Sequence, residues 1–159
     1  MAANTDLKIV HASTAEDYQD AKKLIMEYVA SLGFKLTFQD YDKEITHLSE
    51  RYSAPKGDLL LAYVDGKLAG TVAVHEFKPG SAEMKRLFVR SEFRHYGVGK
   101  KLIAEIIKSA KALNYDQILL DTLEKMQSAV NLYHKFGFKN ITAYRYNPLK
   151  GALFMKKTL

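Results

Sequence analysis

The sequence predicts a mixed α/β (α+β) fold, in which a mostly antiparallel sheet of six to seven strands carries helices on both faces. Three observations support this prediction: short apolar runs alternating with amphipathic helical stretches, an Asp-Gly pair between two of those runs, and a strand meander that leads into a strand-helix-strand unit. A meander feeding such a unit combines antiparallel and parallel pairing in one sheet. The predicted order is β-α-α-β-β-β-α-β-α-β-β.

The first half of the chain begins with a short strand and two helices. Leu7 to His11 alternates in the manner of a strand, and Thr14, with acidic residues in the turn after it, has the pattern of a helix N-cap. Apolar residues then recur at helical spacing as far as Gly33, which fits the C-cap position. A second, more polar helix is predicted over residues 40–52.

Three strands are predicted next, as an antiparallel meander. The runs Asp58 to Val64 and Leu68 to Phe77 flank the pair Asp65-Gly66. An Asp-Gly pair between apolar runs is a strong hairpin signal, because a type I′ turn needs a positive φ at both central residues. Ala82 to Val89 is the third strand of the meander.

The second half alternates helices and strands. Val98 to Leu113 carries an apolar face at helical spacing, and Gln127 to Phe136 is a shorter helix closed by Gly137. Three further strands complete the predicted sheet: Gln117 to Asp121, Phe138 to Tyr144 and Ala152 to Lys156.

The composition is that of one globular domain. The chain has 159 residues, of which 47% are apolar and 26% charged, and this length fits a single domain over residues 1–159. It contains no cysteine, which excludes disulfides, thiolate metal sites and a cysteine nucleophile. No apolar stretch reaches the roughly 20 residues that span a bilayer, and the polar N-terminus does not resemble a signal peptide. We therefore expect a soluble, cytoplasmic protein without a membrane partner.

Charge is distributed unevenly between the two halves of the chain. Residues 1–80 contain nine basic and twelve acidic residues, a net charge of −3, whereas residues 81–159 contain fifteen and six, a net charge of +9. The basic half predicts an anionic partner, either a phosphorylated ligand or a nucleic acid. The sequence has no recognised nucleic-acid-binding motif and no basic-aromatic platform, so we expect no nucleic acid as partner.

The segment Arg94-His95-Tyr96-Gly97-Val98-Gly99 joins a predicted strand to the long amphipathic helix. Its two glycines allow a tight turn, and its N–H groups, together with the positive end of the helix, suit a phosphate. The segment is not a Walker loop, which needs glycine at position 94 and serine or threonine at 101. It is not a dinucleotide fingerprint either, which needs glycine at 102.

Four motifs follow one another in the second half of the chain. They are Glu83-Met84-Lys85-Arg86-Leu87-Phe88-Val89, Arg94-x-x-Gly97-x-Gly99, Leu119-Leu120-Asp121-Thr122 and Leu132-Tyr133-x-x-x-Gly137-Phe138. With the predicted element order, they resemble the GNAT superfamily of N-acetyltransferases. The stretch from Asn147 to Phe154 resembles a bacterial-type subgroup of that family, of unassigned substrate. The resemblance covers nearly the whole chain and implies acetyl-CoA as co-substrate.

In that family the glycine segment wraps the pyrophosphate of coenzyme A. The resemblance gives this cofactor-binding role to six consecutive residues and the lysine that follows them: Arg94, His95, Tyr96, Gly97, Val98, Gly99 and Lys100. The preceding strand pairs with the pantetheine arm and separates from the next strand, leaving a slot for the thioester. Phe88 and Val89 match the positions that offer main-chain groups there, where an amide would stabilise the oxyanion. Their side chains can serve as core residues at the same time.

Tyr133 is the candidate general acid, because it matches the family's tyrosine near the thioester sulfur. A core role is the alternative, since Ala129, Leu132 and Phe136 lie on the same helical face. A tyrosine can fill a core and still expose its hydroxyl. Many relatives carry an asparagine seven residues before this tyrosine as a cofactor contact, and here Met126 occupies that position.

Glu83 is the candidate general base, because several relatives place a carboxylate here that acts directly or through water. A partly desolvated glutamate would have a raised pKa and accept the proton. His75 and Glu76 are rivals, and an ordinary ion pair of Glu83 with Lys85 or Arg86 is the alternative. The five histidines lack a ligand spacing such as H-E-x-x-H, so we expect no metal.

The resemblance implies direct transfer of acetyl to the primary amine of a small molecule or an amino-acid derivative, in a ternary complex. We expect this small-molecule amine acceptor near Tyr41, His75, Tyr144, Tyr146 and residues 147–148, and the acidic half favours a neutral or cationic amine. A protein or peptide acetyltransferase and a non-catalytic acyl-CoA-binding module are the alternatives. We expect a monomer or a homodimer.

Overall fold

The computed structural model describes residues 5–33 and 41–159, and its centre is a seven-stranded sheet. The strands, numbered in chain order, are β1 (Leu7–His11), β2 (Asp58–Val64), β3 (Lys67–Lys78), β4 (Ser81–Val89), β5 (Gln117–Leu123), β6 (Lys139–Ile141) and β7 (Ala152–Thr158). Their spatial order is β1-β2-β3-β4-β5-β7-β6. Of the six strand pairs described, β4 with β5 is the parallel one. The predicted mixed, mostly antiparallel sheet is confirmed.

Five α-helices and one 3₁₀ helix lie in the described part of the chain. They are α1 (Ala15–Leu32), α2 (Tyr41–Thr46), α3 (Leu48–Arg51), the 3₁₀ helix Ser91–Tyr96, α4 (Val98–Ala112) and α5 (Gln127–Lys135). Helix α1 begins with a capping box, in which the Thr14 hydroxyl accepts a hydrogen bond from Asp17 N and the Asp17 carboxylate accepts one from Thr14 N, each 3.1 Å long. Gly33 ends the helix in a left-handed conformation. None of the described helices is both long and apolar enough to cross a bilayer.

The helices cover both faces of the sheet, because the strands alternate their apolar side chains between the faces. Leu60 and its neighbours on one face pack against α4 and α5. Leu61 and its neighbours on the other face pack against α1 and α3. The hairpin between β2 and β3 has the predicted turn, with φ values of 50° at Asp65 and 80° at Gly66.

Gly70 on β3 allows the first turn of α4 to lie close to the sheet. A Cβ atom at this position would be 2.8 Å from the Phe88 carbonyl oxygen and 3.2 Å from a methyl group of Val98. A larger residue would therefore push the start of α4 away from β4. Gly70 thus fixes where the glycine segment meets the sheet.

Two predicted elements differ from the structure. The helix predicted over 40–52 is two short helices, α2 and α3, separated at His47, while position 40 lies outside the described residues. The Thr46 hydroxyl and the His47 ring bond back to the carbonyl of Lys43 and compete with the helical hydrogen bonds. The strand predicted from Phe138 to Tyr144 is the three-residue β6, because β7 supplies its pairing only from position 154 to 156.

Candidate active site

The parallel strands β4 and β5 pair only at their beginnings. Ser81 to Glu83 lies opposite Gln117 to Leu119; beyond these residues β4 stays paired with β3 and β5 with β7. The opening between the two strands is a cavity of about 80 Å³, which α1, α5 and the segment before β7 also line. Pockets for drug-sized ligands measure roughly 300–1,000 Å³. This cavity therefore has room only for the reacting ends of larger molecules or for a small molecule.

A β-bulge turns β4 beside the cavity. Arg86 has a φ of 63°, and the register with β3 shifts between Thr71 and Ala73. Positive φ is uncommon for a residue with a side chain and costs about 1–3 kcal/mol. The Arg86 guanidinium donates from Nε (2.8 Å) and Nη2 (2.9 Å) to the carboxylate of Glu44, and both side chains are buried. This bidentate pair ties the bulge to α2.

Tyr133 on α5 lines the cavity and is 6% exposed. Its ring packs edge-on against Phe138 with centroids 5.7 Å apart, so the residue also belongs to the core. Its hydroxyl has no hydrogen-bond partner among residues 5–33 and 41–159. Burial raises the pKa of Tyr133, and the nearby Tyr28 and Asp121 raise it further. The hydroxyl therefore stays protonated at neutral pH and is free to donate to a ligand.

The glycine segment forms a 3₁₀ turn followed by the exposed start of α4. Gly97 is the N-cap with a φ of 73°, and a Cβ there would have no atom within 4 Å. The hydrogen bond from Lys101 N to Gly97 O (3.1 Å) closes the first helical turn, so the amides of residues 98–100 precede the helical ladder. The side chains of Arg94, His95, Tyr96 and Lys100 are exposed, and Val98 is buried. The first turn of α4 contains no acidic residue, so its amides and positive dipole fit an anion.

Phe88 and Val89 lie beyond the bulge, at the end of β4. They pair with Thr71 and Gly70 of β3, while their other edge has no strand partner among the described residues. The Phe88 ring packs against Tyr28 of α1 at 5.7 Å, and the Val89 side chain packs on the opposite, α4 face. The two side chains are partly buried, and main-chain groups remain on the open edge.

Glu83 is buried, 1% exposed, and its carboxylate accepts three hydrogen bonds. They come from His75 Nε2 (2.9 Å), Tyr144 Oη (2.7 Å) and Arg145 Nη1 (2.7 Å). Burial alone would raise the pKa of Glu83, but these donors and the nearby Lys85 charge hold it at about 2. The raised pKa expected from the sequence is therefore wrong, because the structure surrounds this carboxylate with donors and cations. The alternative ion pair with Lys85 or Arg86 is not formed either; Arg145 takes that place.

The rival bases lie outside the cavity lining. His75 is held by Glu83 and contacts the ring of Tyr52 at 5.8 Å. Glu76 pairs with Lys56 at 3.4 Å. A proton could reach these groups or Glu83 from the cavity only through water, since none of the three lines it.

None of the three tyrosines expected to bind the acceptor lines the cavity. The Tyr41 ring lies 6.0 Å from the Arg86 guanidinium, and Tyr144 packs between Phe77 and Phe154. Tyr146 is 74% exposed and does not line the cavity.

Met126 and Asn147 line the cavity from two different segments. Met126 is the N-cap of α5, where it contacts the Thr122 hydroxyl through sulfur at 3.9 Å. Asn147, from the segment before β7, donates its amide to Asp121 at 3.0 Å. A polar amide therefore reaches the cavity although the expected asparagine position is occupied by Met126.

Sequence reasoning missed Lys85 and Asp121 as site residues. Both line the cavity, and both belong to the motifs that carry the family resemblance. Their positions in the two strands that the resemblance expects to separate were the available signal, but only the structure shows that pairing ends just before them, at Glu83 and Leu119. The described residues contain no group of three or more histidines and carboxylates that could hold a metal ion.

The sheet order, the separation of β4 from β5 and the glycine-capped helix beside it define an α/β protein with a cavity between two diverging parallel strands. Known proteins with similar sequences support this class.

The family model for acetyltransferases (GNAT) matches residues 15–138 of the chain. An uncharacterised N-acetyltransferase of Schizosaccharomyces pombe is 39% identical over 98% of this chain and 97% of its own length.

Solved structures give the same result. An acetyltransferase from Streptococcus agalactiae superimposes with a TM-score of 0.76 at 26% identity, covering 96% of this chain and 98% of that one. PaiA N-acetyltransferase from Thermoplasma acidophilum, solved in complex with coenzyme A, gives 0.71 at 18% identity, covering 97% and 99%. The chain belongs to the acetyltransferase (GNAT) family. It is an acyltransferase enzyme.

Proposed function

We propose that this protein transfers the acetyl group of acetyl-CoA directly to the primary amine of a small molecule, with both substrates bound together. The observation that supports this most strongly is the cavity between β4 and β5, which Tyr133 lines with a hydroxyl that has no hydrogen-bond partner among the described residues. The small volume of the cavity favours a small acceptor over a polypeptide. The absence of cysteine favours direct transfer, because no acyl-cysteine intermediate can form.

The coenzyme would be held by the seven residues from Arg94 to Lys100. The amides at the start of α4 would bind its pyrophosphate, and the exposed side chains of Arg94 and Lys100 would add positive charge. Phe88 and Val89 would offer main-chain groups on the open edge of β4. Bound acetyl-CoA supplies an activated acyl group on a thiol leaving group.

Tyr133 is the proton donor in this proposal. The amine nitrogen attacks the carbonyl carbon, the C–S bond breaks, and Tyr133 donates its hydroxyl proton to the departing sulfur. Tyr133 then regains a proton that the attacking nitrogen gives up. An ammonium acceptor and acetyl-CoA give the N-acetyl product, free thiol and one released proton, and that proton leaves through a base or water. Burial keeps Tyr133 protonated until this step.

Glu83 acts in this proposal on the amine side, through water and the His75 ring that it binds. A carboxylate with a pKa of about 2 is a weak base, so its principal effect is to fix His75, Tyr144 and Arg145 around the acceptor end of β4. His75 is then the better placed of the two for proton transfer.

A thiol-release assay tests the proposal. The protein is incubated with acetyl-CoA and a panel of primary amines, and free coenzyme A is detected with a thiol reagent, to which this cysteine-free chain adds no background. We expect release that depends on the amine and an N-acetyl product of matching amount. Binding of acetyl-CoA without release for any amine would instead identify a non-catalytic acyl-CoA-binding module, and acetylation confined to peptides would identify a protein acetyltransferase.

A further inference from the structure

We propose that the acceptor is an amino carboxylic acid, with its carboxylate bound by Lys85 and its amino nitrogen beside Asp121. This inference rests on the proposed function and names the substrate class of the same site. It assigns roles to two charged residues that face each other across the opening between β4 and β5.

Lys85 is a buried cation to which no described residue is bound. It is 5% exposed, lines the cavity, and has no hydrogen bond or ion pair with any residue that the structure describes. A buried ammonium group without a counter-ion is costly, so such groups are normally paired. The cavity is the space in which an anion could reach it.

The other buried charges near Lys85 are already neutralised. Arg86 is bound in two places by Glu44, and Arg145 is bound by Glu83. Burial and the adjacent Arg86 charge lower the pKa of Lys85 to about 8, while Glu83 and Glu44 oppose this effect. Among these three cations Lys85 is therefore the one to which no carboxylate is bound, and a substrate carboxylate would supply that contact.

Asp121 stands opposite Lys85. The last paired residues of the two strands are Glu83 and Leu119, and each of the two charged residues lies two positions further along its strand. Positions two apart point to the same face of a sheet, and Glu83 and Lys85 share the face that carries α1, opposite to Ala82 and Met84. In a continuing parallel pair Lys85 and Asp121 would be neighbours, but the strands separate and no salt bridge forms between them. The opening between β4 and β5 is therefore bordered by one basic side chain, Lys85, and one acidic side chain, Asp121.

Asp121 also lacks an ion-pair partner among the described residues. It accepts one hydrogen bond, from the Asn147 amide at 3.0 Å, and it lines the same cavity. Its charge acts on Tyr133, whose pKa it helps to raise. An amino group bound at Asp121 would therefore lie on the Tyr133 side of the cavity, where acetyl transfer is proposed to occur.

An amino carboxylic acid satisfies both charges at once. A simple amine would leave Lys85 unpaired, and a dicarboxylate without an amino group would place a negative charge against Asp121. The cavity of about 80 Å³ admits a compact acceptor of this kind at its reacting end. An amino carboxylic acid differs from the neutral or cationic amine that the net charge of residues 1–80 favours. The difference arises because the acceptor meets the charges that line the cavity, and these include the Lys85 cation.

Matched acceptor pairs test the inference. We compare kcat/KM for L-alanine with L-alaninamide, and for β-alanine with propylamine, using acetyl-CoA and thiol release. The wild-type protein should prefer the carboxylate of each pair by about tenfold or more, the size expected for a buried charge-assisted hydrogen bond. With KM expressed as the concentration of unprotonated amine, the preference should fall as the pH rises through about 8, where Lys85 loses its charge.

Lys85→Met should remove most of the preference by raising KM for the carboxylate, and Asp121→Asn should raise KM for both members of a pair. Lys108→Met is the control, because this lysine is 73% exposed on α4 and should leave the preference as it is. If Lys85→Met does not fold, the pH dependence of the wild-type preference decides the question.

The outcomes separate the inference from the function on which it rests. If the amide and the carboxylate of each pair release thiol with equal efficiency, the proposed carboxylate site is wrong, but the proposed acetyltransferase function stands. A uniform loss of turnover for all acceptors in Lys85→Met would identify Lys85 as a proton acceptor and would overturn the inference as well. Failure of every amine would reject the proposed function itself.

Discussion

Tyr133 and Glu83 are both buried, but their surroundings give them different chemistry. The Tyr133 hydroxyl at the wall of the cavity has no hydrogen-bond partner in the described part of the chain, whereas the Glu83 carboxylate accepts hydrogen bonds from three donors. Burial raises the pKa of Tyr133; at Glu83 burial acts in the same direction, but the hydrogen bond from His75 and the nearby cations hold the pKa at about 2. A group that keeps its proton until a leaving group needs it is suited to acid catalysis, and a group that gives its proton up so readily is a poor base.

Tyr133→Phe should lower kcat by about a hundredfold, the lower end of the effect of a general acid. Because the hydroxyl makes no hydrogen bond in the described structure, its removal should change the free energy of unfolding by less than about 1 kcal/mol. Steady-state kinetics and denaturant unfolding measure the two quantities. Unchanged turnover would remove Tyr133 from the mechanism.

Glu83→Gln should destabilise the protein by about 3 kcal/mol at neutral pH, since it breaks a buried ion pair. The pKa of Glu83 is lowered from 4.5 to about 2, so its contribution to stability is present above about pH 4.5 and is lost as the pH falls towards 2. Unfolding at pH 3 and pH 7 should therefore differ less in the variant than in the wild-type protein. The pH–rate profile should keep its acidic limb; loss of that limb would identify Glu83 as the general base after all.

At the scale of elements, the start of α4 is held against the sheet by two glycines with different roles. Gly70 has no room for a Cβ, because the Phe88 carbonyl and the Val98 side chain approach it closely. A Cβ at Gly97 would meet open space, so glycine is needed there because of the positive φ and not because of crowding. The first glycine sets the position of the helix and the second directs its amides towards solvent.

Gly97→Ala should weaken coenzyme A binding by about tenfold, because a left-handed alanine costs about 1–2 kcal/mol and relaxation of that strain would misalign the amides. Titration calorimetry with coenzyme A measures the affinity. Gly66→Ala is the matched control: it has a φ of 80°, no atom within 4 Å of its Cβ, and a position in the hairpin between β2 and β3. It should lose similar stability and keep its affinity, so equal losses of affinity in both variants would contradict the role of Gly97.

At the scale of the whole molecule, the two halves of the chain meet at the cavity. The basic half supplies β4, β5, α4 and α5, which carry the proposed coenzyme site, and the acidic half supplies α1 to α3 on the opposite face. The bidentate contact of Glu44 with Arg86 joins the halves across the bulge. A net charge of +9 on one half is an attractive field for a ligand that bears several phosphate charges.

Coenzyme A affinity should therefore fall as salt is raised. Because the charged side chains of the glycine segment are exposed, we expect the Kd to increase several-fold between low and high ionic strength, as the Debye length shortens from about 10 Å at 0.1 M to about 3 Å at 1 M. Calorimetry over a sodium chloride series measures the slope, and Lys100→Gln should flatten it. A Kd that is independent of salt would mean that backbone amides alone hold the coenzyme.

The sequence by itself determined the element order, the Asp65-Gly66 turn and the glycine-capped start of α4, because apolar periodicity and glycine chemistry are local properties. It also led to the family, since each of the motifs around β4, the glycine segment and α5 is a short run of the sequence that can be read without the fold. Only the tertiary structure decided that β7 lies between β5 and β6, that the strand separation implied by the resemblance begins after Leu119, and that Glu83 is held by Arg145. These features depend on which distant segments meet, and a carboxylate's pKa depends on those neighbours more than on its own position in the chain.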